Sequence, residues 1–220
     1  MVFASERGEN EAQAGRGPET GVKLRPRSSE PLGKLAALAF QPCDGLIHAR
    51  MEIRDPIAKD AEVAPQFVLC PLTNADAGEA AELIRAAFAA QNRQTAPPSS
   101  ALLETGPSIA AKIVAGGGFG AFEGGALIAA VLWSLNDDAL HVARMSVAPE
   151  ARGRGIVRLL IAACETEARR RGVRGMTLKT RLELPENERL FERCGFARRE
   201  IEAHPGFETP TTAVMEKVLE

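Results

Sequence analysis

Met145-Ser146-Val147-Ala148-Pro149-Glu150-Ala151-Arg152-Gly153-Arg154-Gly155-Ile156-Val157-Arg158 begins as a strand and ends with the spacing of a helix. The joint between the two is rich in glycine and arginine. From Ile156 onward, Ile156, Leu159, Leu160, Ala163 and Cys164 share one face, Arg and Glu fill the other, and Gly172 closes the helix. A strand entering a helix through such a joint leaves unpaired N–H groups at the positive end of the helix dipole, an anion site suited to phosphate. Gly153 and Gly155 let an anion approach the backbone, and Arg152, Arg154 and Arg158 add positive charge. Two other phosphate motifs are missing. No Gly-Lys-Ser or Gly-Lys-Thr occurs, so there is no P-loop, and after Gly118 and Gly120 the third glycine of a dinucleotide fingerprint is Glu123. The glycines between Gly116 and Gly125 lie between a helix end and a hairpin, and read as turn residues.

Upstream of this joint, residues 67–72 form an apolar strand, followed by a helix capped by Asn74 or Asp76 with Ala77, Ala80, Ala81, Ile84, Ala87 and Phe88 at helical spacing. A second helix over 108–115 stops at Gly116-Gly117-Gly118. Strands over 119–122 and 126–135 flank the turn Glu123-Gly124-Gly125, and a third strand, 139–147, follows a turn at Asn136-Asp137-Asp138. Downstream, a strand over 176–182, a short helix from Pro185 to Arg193, and strands over 197–203 and 212–218 complete the order β-α-α-β-β-β-α-β-α-β-β. No repeat of solenoid or propeller length is visible.

The chain has 220 residues, 45% hydrophobic and 25% charged, with 27 Lys and Arg against 29 Asp and Glu and a net charge of -2. That suits a globular domain with a real core and disfavours a basic nucleic-acid binder. Cys43, Cys70, Cys164 and Cys194 show no C-x-x-C spacing, which points to neither a disulfide framework nor a zinc ribbon and fits a reducing cytosol. No run approaches the roughly 20 apolar residues of a membrane span, and the acidic residues among the first 33 argue against a transit peptide. The expectation is a cytoplasmic protein with neither nucleic-acid nor membrane partners. Residues 1–33, rich in Gly, Pro, Ser, Glu and Arg, read as a disordered tail, with a short helix over 34–40. The expected division is 1–65 as an N-terminal extension and 66–220 as the domain. Met51 offers a second start.

Residues 67–219 resemble the GNAT superfamily of acetyl-CoA-dependent N-acetyltransferases. The resemblance rests on Arg152-Gly153-Arg154-Gly155-Ile156-Val157, similar to the family's [QR]-x-x-G-x-[GA] loop, on Val147-Ala148-Pro149 before it, and on the element order. Leu190-Phe191-Glu192-Arg193-Cys194-Gly195-Phe196 is similar to the family's L-Y-x-x-x-G-F helix end. It implies an α+β fold, a mixed and mostly antiparallel sheet with helices on both faces. It also implies acetyl-CoA as cosubstrate and direct acetyl transfer to a primary amine, either small or peptidic. The pantetheine arm falls to Met145, Ser146 and Val147, and the pyrophosphate to Arg152, Gly153, Arg154, Gly155, Ile156, Val157 and Arg158. Asn187 matches a polar position that contacts cofactor or water, or else it is a helix N-cap.

Two departures from the pattern stand out. Val157 replaces a Gly or Ala, and Phe191 replaces the tyrosine that serves the family as general acid; the chain contains no tyrosine at all. Glu183 and His141 are the candidate bases for the amine, with Glu150 a poorer one beside the pyrophosphate. Cys194 reads as a small apolar residue and His204 lacks a partner at metal spacing, so no metal is expected. A non-catalytic acyl-CoA-binding module of the same fold is the alternative. The acceptor stays open, as does a homodimer.

Overall fold

The almost unbroken apolar run Ala126-Leu127-Ile128-Ala129-Ala130-Val131-Leu132-Trp133 has no polar face, so it needs cover on both sides. The computed structural model, which describes residues 41–43, 46–48, 67–136 and 138–219, supplies it. The run lies in the middle of a sheet, and successive side chains enter two different cores. Ala129, Val131 and Trp133 pack with Ile156, Leu160, Ile161, Cys164 and Ala168 on one face. Ala130 and Leu132 pack with Ala77, Ala80, Ala81, Ile84 and Ile109 on the other. Helices therefore flank both faces of the sheet.

In chain order the strands are β1 (Gln41–Cys43), β2 (Leu46–His48), β3 (Val68–Pro71), β4 (Gly117–Glu123), β5 (Ala126–Asn136), β6 (Ala139–Val147), β7 (Gly175–Arg181), β8 (Ala197–Glu202) and β9 (Thr212–Val218). The helices are α1 (Ala77–Ala89), α2 (Gly106–Ala115), α3 (Ile156–Arg170) and α4 (Pro185–Glu192). Strands β1 and β2 form a small antiparallel pair of their own. The main sheet has the order β3-β4-β5-β6-β7-β9-β8, antiparallel except for the parallel pair β6–β7. The crossover between those two strands is α3, which covers one face. This is the mixed, mostly antiparallel α+β arrangement expected from the sequence. The expected helix over 34–40, the tail over 1–33 and the alternative start at Met51 lie outside the described residues.

Local signals explain the helix ends. The Thr73 N–H donates to the Asp76 carboxylate at 2.7 Å and opens a 3-10 turn, Asn74–Asp76, that runs into α1; Asp76, one of the two expected residues, holds the N-cap position of α1, but its carboxylate turns back to Thr73. Thr105 and Ser108 cap α2 reciprocally, each backbone N–H donating to the other's hydroxyl, so this helix starts before Ser108. A 3-10 turn, Ser100–Leu103, lies between the two helices and buries Ala101 completely. Sequence periodicity does not register so short an element.

The glycines of β4 differ from expectation. Gly124 and Gly125 are turn residues with φ of +59° and +89°. Gly117, Gly118 and Gly120 are strand residues, and each lies where a Cβ would collide with Trp133, Leu132 or Leu72, or Leu127. They are small because the Trp133 indole and the leucines lie flat on the strand. Gly116, at the end of α2, has the tightest surroundings: a Cβ there would sit 2.0 Å from the Trp133 carbonyl oxygen. Backbone cannot rotate out of the way, so Gly116→Ala is expected to cost about 1–3 kcal/mol of stability by overpacking. A lower urea midpoint at unchanged slope is the check; an unchanged midpoint would mean that β4 shifts freely against β5.

Candidate active site

Strand β6 serves two neighbours, and it keeps only one of them to its end. With β5 it stays paired as far as Val147, opposite Ala129. With β7 it pairs only through Val142, opposite Leu178. Beyond that point β7 follows β9, to which it stays paired up to Arg181. The two strands part, and the backbone of residues 143–147 has no strand partner on its β7 side among the described residues.

A bulge marks the place of parting. The register between β5 and β6 shifts between Ala130 and Leu132, and Arg144 adopts the left-handed region with φ of +54°. A non-glycine residue is strained there and needs outside support. The support comes from its side chain and from the next turn of chain. Arg144 donates through Nε to Glu104 at 2.6 Å and through Nη2 to Ser100 at 3.1 Å, while the Ser146 hydroxyl donates to the Arg144 carbonyl at 3.0 Å. Glu104 is 4% exposed and also accepts from Lys112 and Ser108. Burial pushes its carboxyl up, but the bonds from Lys112, Ser108 and Arg144 outweigh this and hold it below the usual range. Glu104 thus ties the bulge to α2.

Two adjoining cavities open where the strands part. The first, of about 490 Å³, is lined by Met145, Ser146 and Val147 of β6 and by Arg152, Gly153, Gly155, Ile156, Val157 and Arg158 of the glycine-arginine joint. Asn187 and Phe191 of α4 close it. The amides of Gly153, Gly155, Ile156 and Val157 donate to no backbone acceptor among the described residues, whereas those of Arg152 and Arg158 close turns onto Pro149 and Gly155. Gly153 and Gly155 have φ of +78° and +74°, and a Cβ at either would meet nothing. Their glycine character is a matter of conformation, which turns successive N–H groups toward one side as an anion nest does.

The three arginines divide their work. Arg152 donates to the carbonyls of Ala87 and Ala90, so a cation caps the C-terminal end of α1 from another element. Arg154 pairs with Glu123 through two bonds and lies over the Phe67 ring at 5.6 Å; its side chain does not line the cavity. The Arg158 guanidinium has no hydrogen-bond or ion-pair partner among the described residues, and it does line the cavity. Asn187 is not an N-cap, since Leu184 occupies that position; Asn187 sits within α4 and borders both cavities. Phe191 is 9% exposed, packs edge-on to Phe196, and also borders both cavities. Val157 is partly buried against the main core.

The second cavity, of about 600 Å³, includes His141 but not Glu183. The His141 Nδ1 lies 3.1 Å from the Thr177 hydroxyl. Burial pushes its imidazole below the ordinary 6.5, and the charge of Lys179 acts in the same direction. Glu183 uses one oxygen to accept the Ala96 N–H at 3.0 Å and thereby holds a loop at the rim. Cys194 lines neither cavity, and burial raises its thiol pKa, in keeping with a small apolar role. Arg144, Lys179 and Arg181, for which the sequence suggests no role, also line this cavity, as does His204 of the 203–211 connection, where acceptor contacts are expected. The available signal was the alternation Thr177, Lys179, Arg181 along β7, which places two cations on the face that carries Thr177.

A profile described as the Acetyltransferase (GNAT) family matches residues 82–196. The chain belongs to the GNAT family of acetyltransferases. The matched region contains the joint, His141, Glu183, Asn187 and Phe191, but not His204. A GNAT-family acetyltransferase from Streptococcus pneumoniae shares the fold with a TM-score of 0.59 at 13% identity, over 70% of this chain and 99% of that one. PaiA N-acetyltransferase from Thermoplasma acidophilum, determined in complex with coenzyme A, aligns with a TM-score of 0.56 at 17% identity, over 70% of this chain and all (100%) of that one. Nourseothricin acetyltransferase aligns at 25% identity with a TM-score of 0.43, over 46% of this chain, which spans 64% of its length. No curated protein matches the chain. No helix among the described residues is long and apolar enough to cross a membrane.

His141 is expected to titrate below 6.5 by NMR, and Lys179→Met to move that titration upward. Because the unfolded chain binds this proton first, the His141 contribution to stability falls as pH drops below the ordinary imidazole value. An unchanged His141 titration in Lys179→Met would remove Lys179 as a cause.

Proposed function

We propose that the protein transfers an acetyl group from acetyl-CoA directly to a primary amine, with the smaller cavity as the coenzyme site and the larger as the acceptor site. The observation that carries this reading is the set of amides of Gly153, Gly155, Ile156 and Val157 that find no backbone acceptor, next to a strand edge that has lost its partner. Those amides and Arg158 suit a pyrophosphate, and the free edge of Met145, Ser146 and Val147 suits the amide-bearing pantetheine arm. Ser146 itself is buried, and its hydroxyl is taken up by the Arg144 carbonyl, so its part is played by its backbone. The residues fit the cosubstrate that the family implies.

Acetyl-CoA supplies an acyl thioester whose thiol has a pKa of about 8.5 by analogy with cysteine. The chain's own groups do the rest. The strand parting holds the acceptor amine and the thioester in adjoining cavities, which is catalysis by proximity. A backbone N–H of 145–147 polarises the thioester oxygen. His141 is neutral near pH 7. When its Nδ1–H is donated to Thr177, the Nε2 lone pair is left to take the proton of the amine. Glu183, engaged at Ala96, steadies the loop that borders the acceptor cavity.

Phe191 favours a second reading, a module that binds acyl-CoA without turning it over. It stands at the border of the two cavities, where the family's pattern has a tyrosine, and no phenol exists anywhere in the chain to protonate the departing thiolate. We favour the enzyme because such a thiolate leaves without help; loss of an acid lowers the rate by about 100- to 10,000-fold but does not remove proximity or oxyanion stabilisation.

Calorimetry with acetyl-CoA and thiol release over a panel of amines separate the readings; binding with no turnover of any amine would select the module. Gly155→Trp is expected to abolish coenzyme binding, since it adds both a clash with the anion and a left-handed φ of +74°. Unchanged affinity would refute the assigned site. Phe191→Tyr is expected to raise kcat, up to about 100-fold, with little change in the KM for acetyl-CoA. No rise would show that an acid at this position is not limiting.

A further inference from the structure

The charges facing the acceptor cavity do not balance. Arg144, Lys179 and Arg181 line it, with Glu202 as the carboxylate among the lining residues. Arg144 is neutralised from behind by Glu104 at 2.6 Å, and Lys179 takes Glu202 at 2.5 Å. Arg181 is different. It donates to the Pro97 carbonyl at 2.6 Å, the Ala96 carbonyl at 3.5 Å and the His204 Nδ1 at 3.2 Å, all neutral acceptors. Among the described residues no carboxylate lies within ion-pair distance of its guanidinium. Glu183 acts on it only at longer range, with one oxygen engaged by Ala96.

His204 is fixed by the same contacts. A guanidinium can only donate, so the His204 Nδ1 must accept, and in the neutral imidazole the proton then sits on Nε2. The Thr211 hydroxyl, 2.5 Å from the same Nδ1, fits that assignment as a second donor. Burial and the charges of Arg181 and Lys179 push the imidazole pKa down and outweigh the opposing charges of Glu183 and Glu202, so it stays neutral. The rim of the cavity therefore offers an uncompensated guanidinium and, beside it, an imidazole N–H. Together these are a receptor for a carboxylate.

Resting on the reading of this cavity as the acceptor site, we propose that the acceptor is a free α-amino acid whose carboxylate is held by Arg181 and His204. A polyamine or aminoglycoside would bring a second ammonium to a wall already in excess of positive charge, with its one lining carboxylate spent on Lys179. A peptide N-terminus would offer an uncharged carbonyl where the carboxylate belongs and would leave Arg181 uncompensated. The cationic surroundings also lower the pKa of the incoming ammonium, so the amine reaches His141 more readily in its nucleophilic form. A cavity of about 600 Å³ suits a small molecule.

The test uses the full chain, with and without coenzyme A. Each standard L-amino acid, its α-carboxamide and its decarboxylated amine are screened by ligand-observed NMR, with spermidine as the polycationic probe, and hits are measured by calorimetry. The expected result is an amino acid that binds at least about 10-fold more tightly than its amide and its amine, the worth of a charge-assisted bond. Arg181→Gln should lose that preference, and Arg181→Lys should recover part of it. Coenzyme affinity and the circular dichroism spectrum should stay unchanged in both variants. A tightest ligand that is an amide, a decarboxylated amine or spermidine overturns the proposal, as does an amino-acid affinity unaffected by Arg181→Gln or no amino-acid binding at all. Failure to bind coenzyme A is a separate result, which overturns the enzyme reading and leaves the carboxylate site to be judged by amino-acid binding to the chain alone.

Discussion

Strand β6 cannot follow β5 and β7 at once, and most of what is distinctive in this molecule follows from how that conflict is resolved. The bulge at Arg144 lets β6 keep its pairing with β5 to Val147 while β7 departs with β9. Backbone that would otherwise be consumed in the sheet is left with unspent hydrogen-bonding capacity beside two cavities. Strain at Arg144 accompanies the opening, and the buried Glu104 carboxylate, shared with Lys112 and Ser108, holds it in place. The bulge, the helix that braces it and the cleft form one unit.

The arginines around this cleft illustrate how little a residue type says about its job. Arg152 caps a helix, Arg154 neutralises Glu123, and Arg144 supports a bulge; each positive charge is spent inside the protein. What remains to meet a ligand is Arg158 in one cavity and Arg181 in the other. In the proposed anion site the backbone carries more than the motif's arginines do, because Gly153, Gly155, Ile156 and Val157 leave their N–H groups without a backbone acceptor at a helix start. A conformation with two left-handed glycines orients these donors, and arginines with partners of their own cannot supply that orientation.

Family membership supports acetyl transfer as the general chemistry. The chain's individual character lies in two places. Phe191 keeps the border between the cavities apolar where a phenol is usual, so the proposed reaction would rest on proximity, backbone polarisation and His141. The second is the imbalance of charge along β7 and at His204 in the larger cavity, where the acceptor is proposed to bind.

Much of this was legible in the chain itself. The period change around residue 156, the stop at Gly172, the hairpin at Gly124 and Gly125, and the limits of β6 and β9 follow from local rules, because helix caps, turns and alternating burial are decided by residues within a few positions of one another. The glycine-arginine joint was legible for the same reason. Other features needed distant partners. The smallness of Gly117 and Gly120 is explained by Trp133 and by leucines elsewhere in the chain, and the left-handed Arg144 by Glu104, 40 residues away. Arg181 and His204 meet only because β7 and the connection after β8 are brought side by side by β9. Sequence determines which residues are small, charged or apolar and how each short segment curls; only the tertiary packing decides which charges find partners, and the chemistry belongs to those that do not.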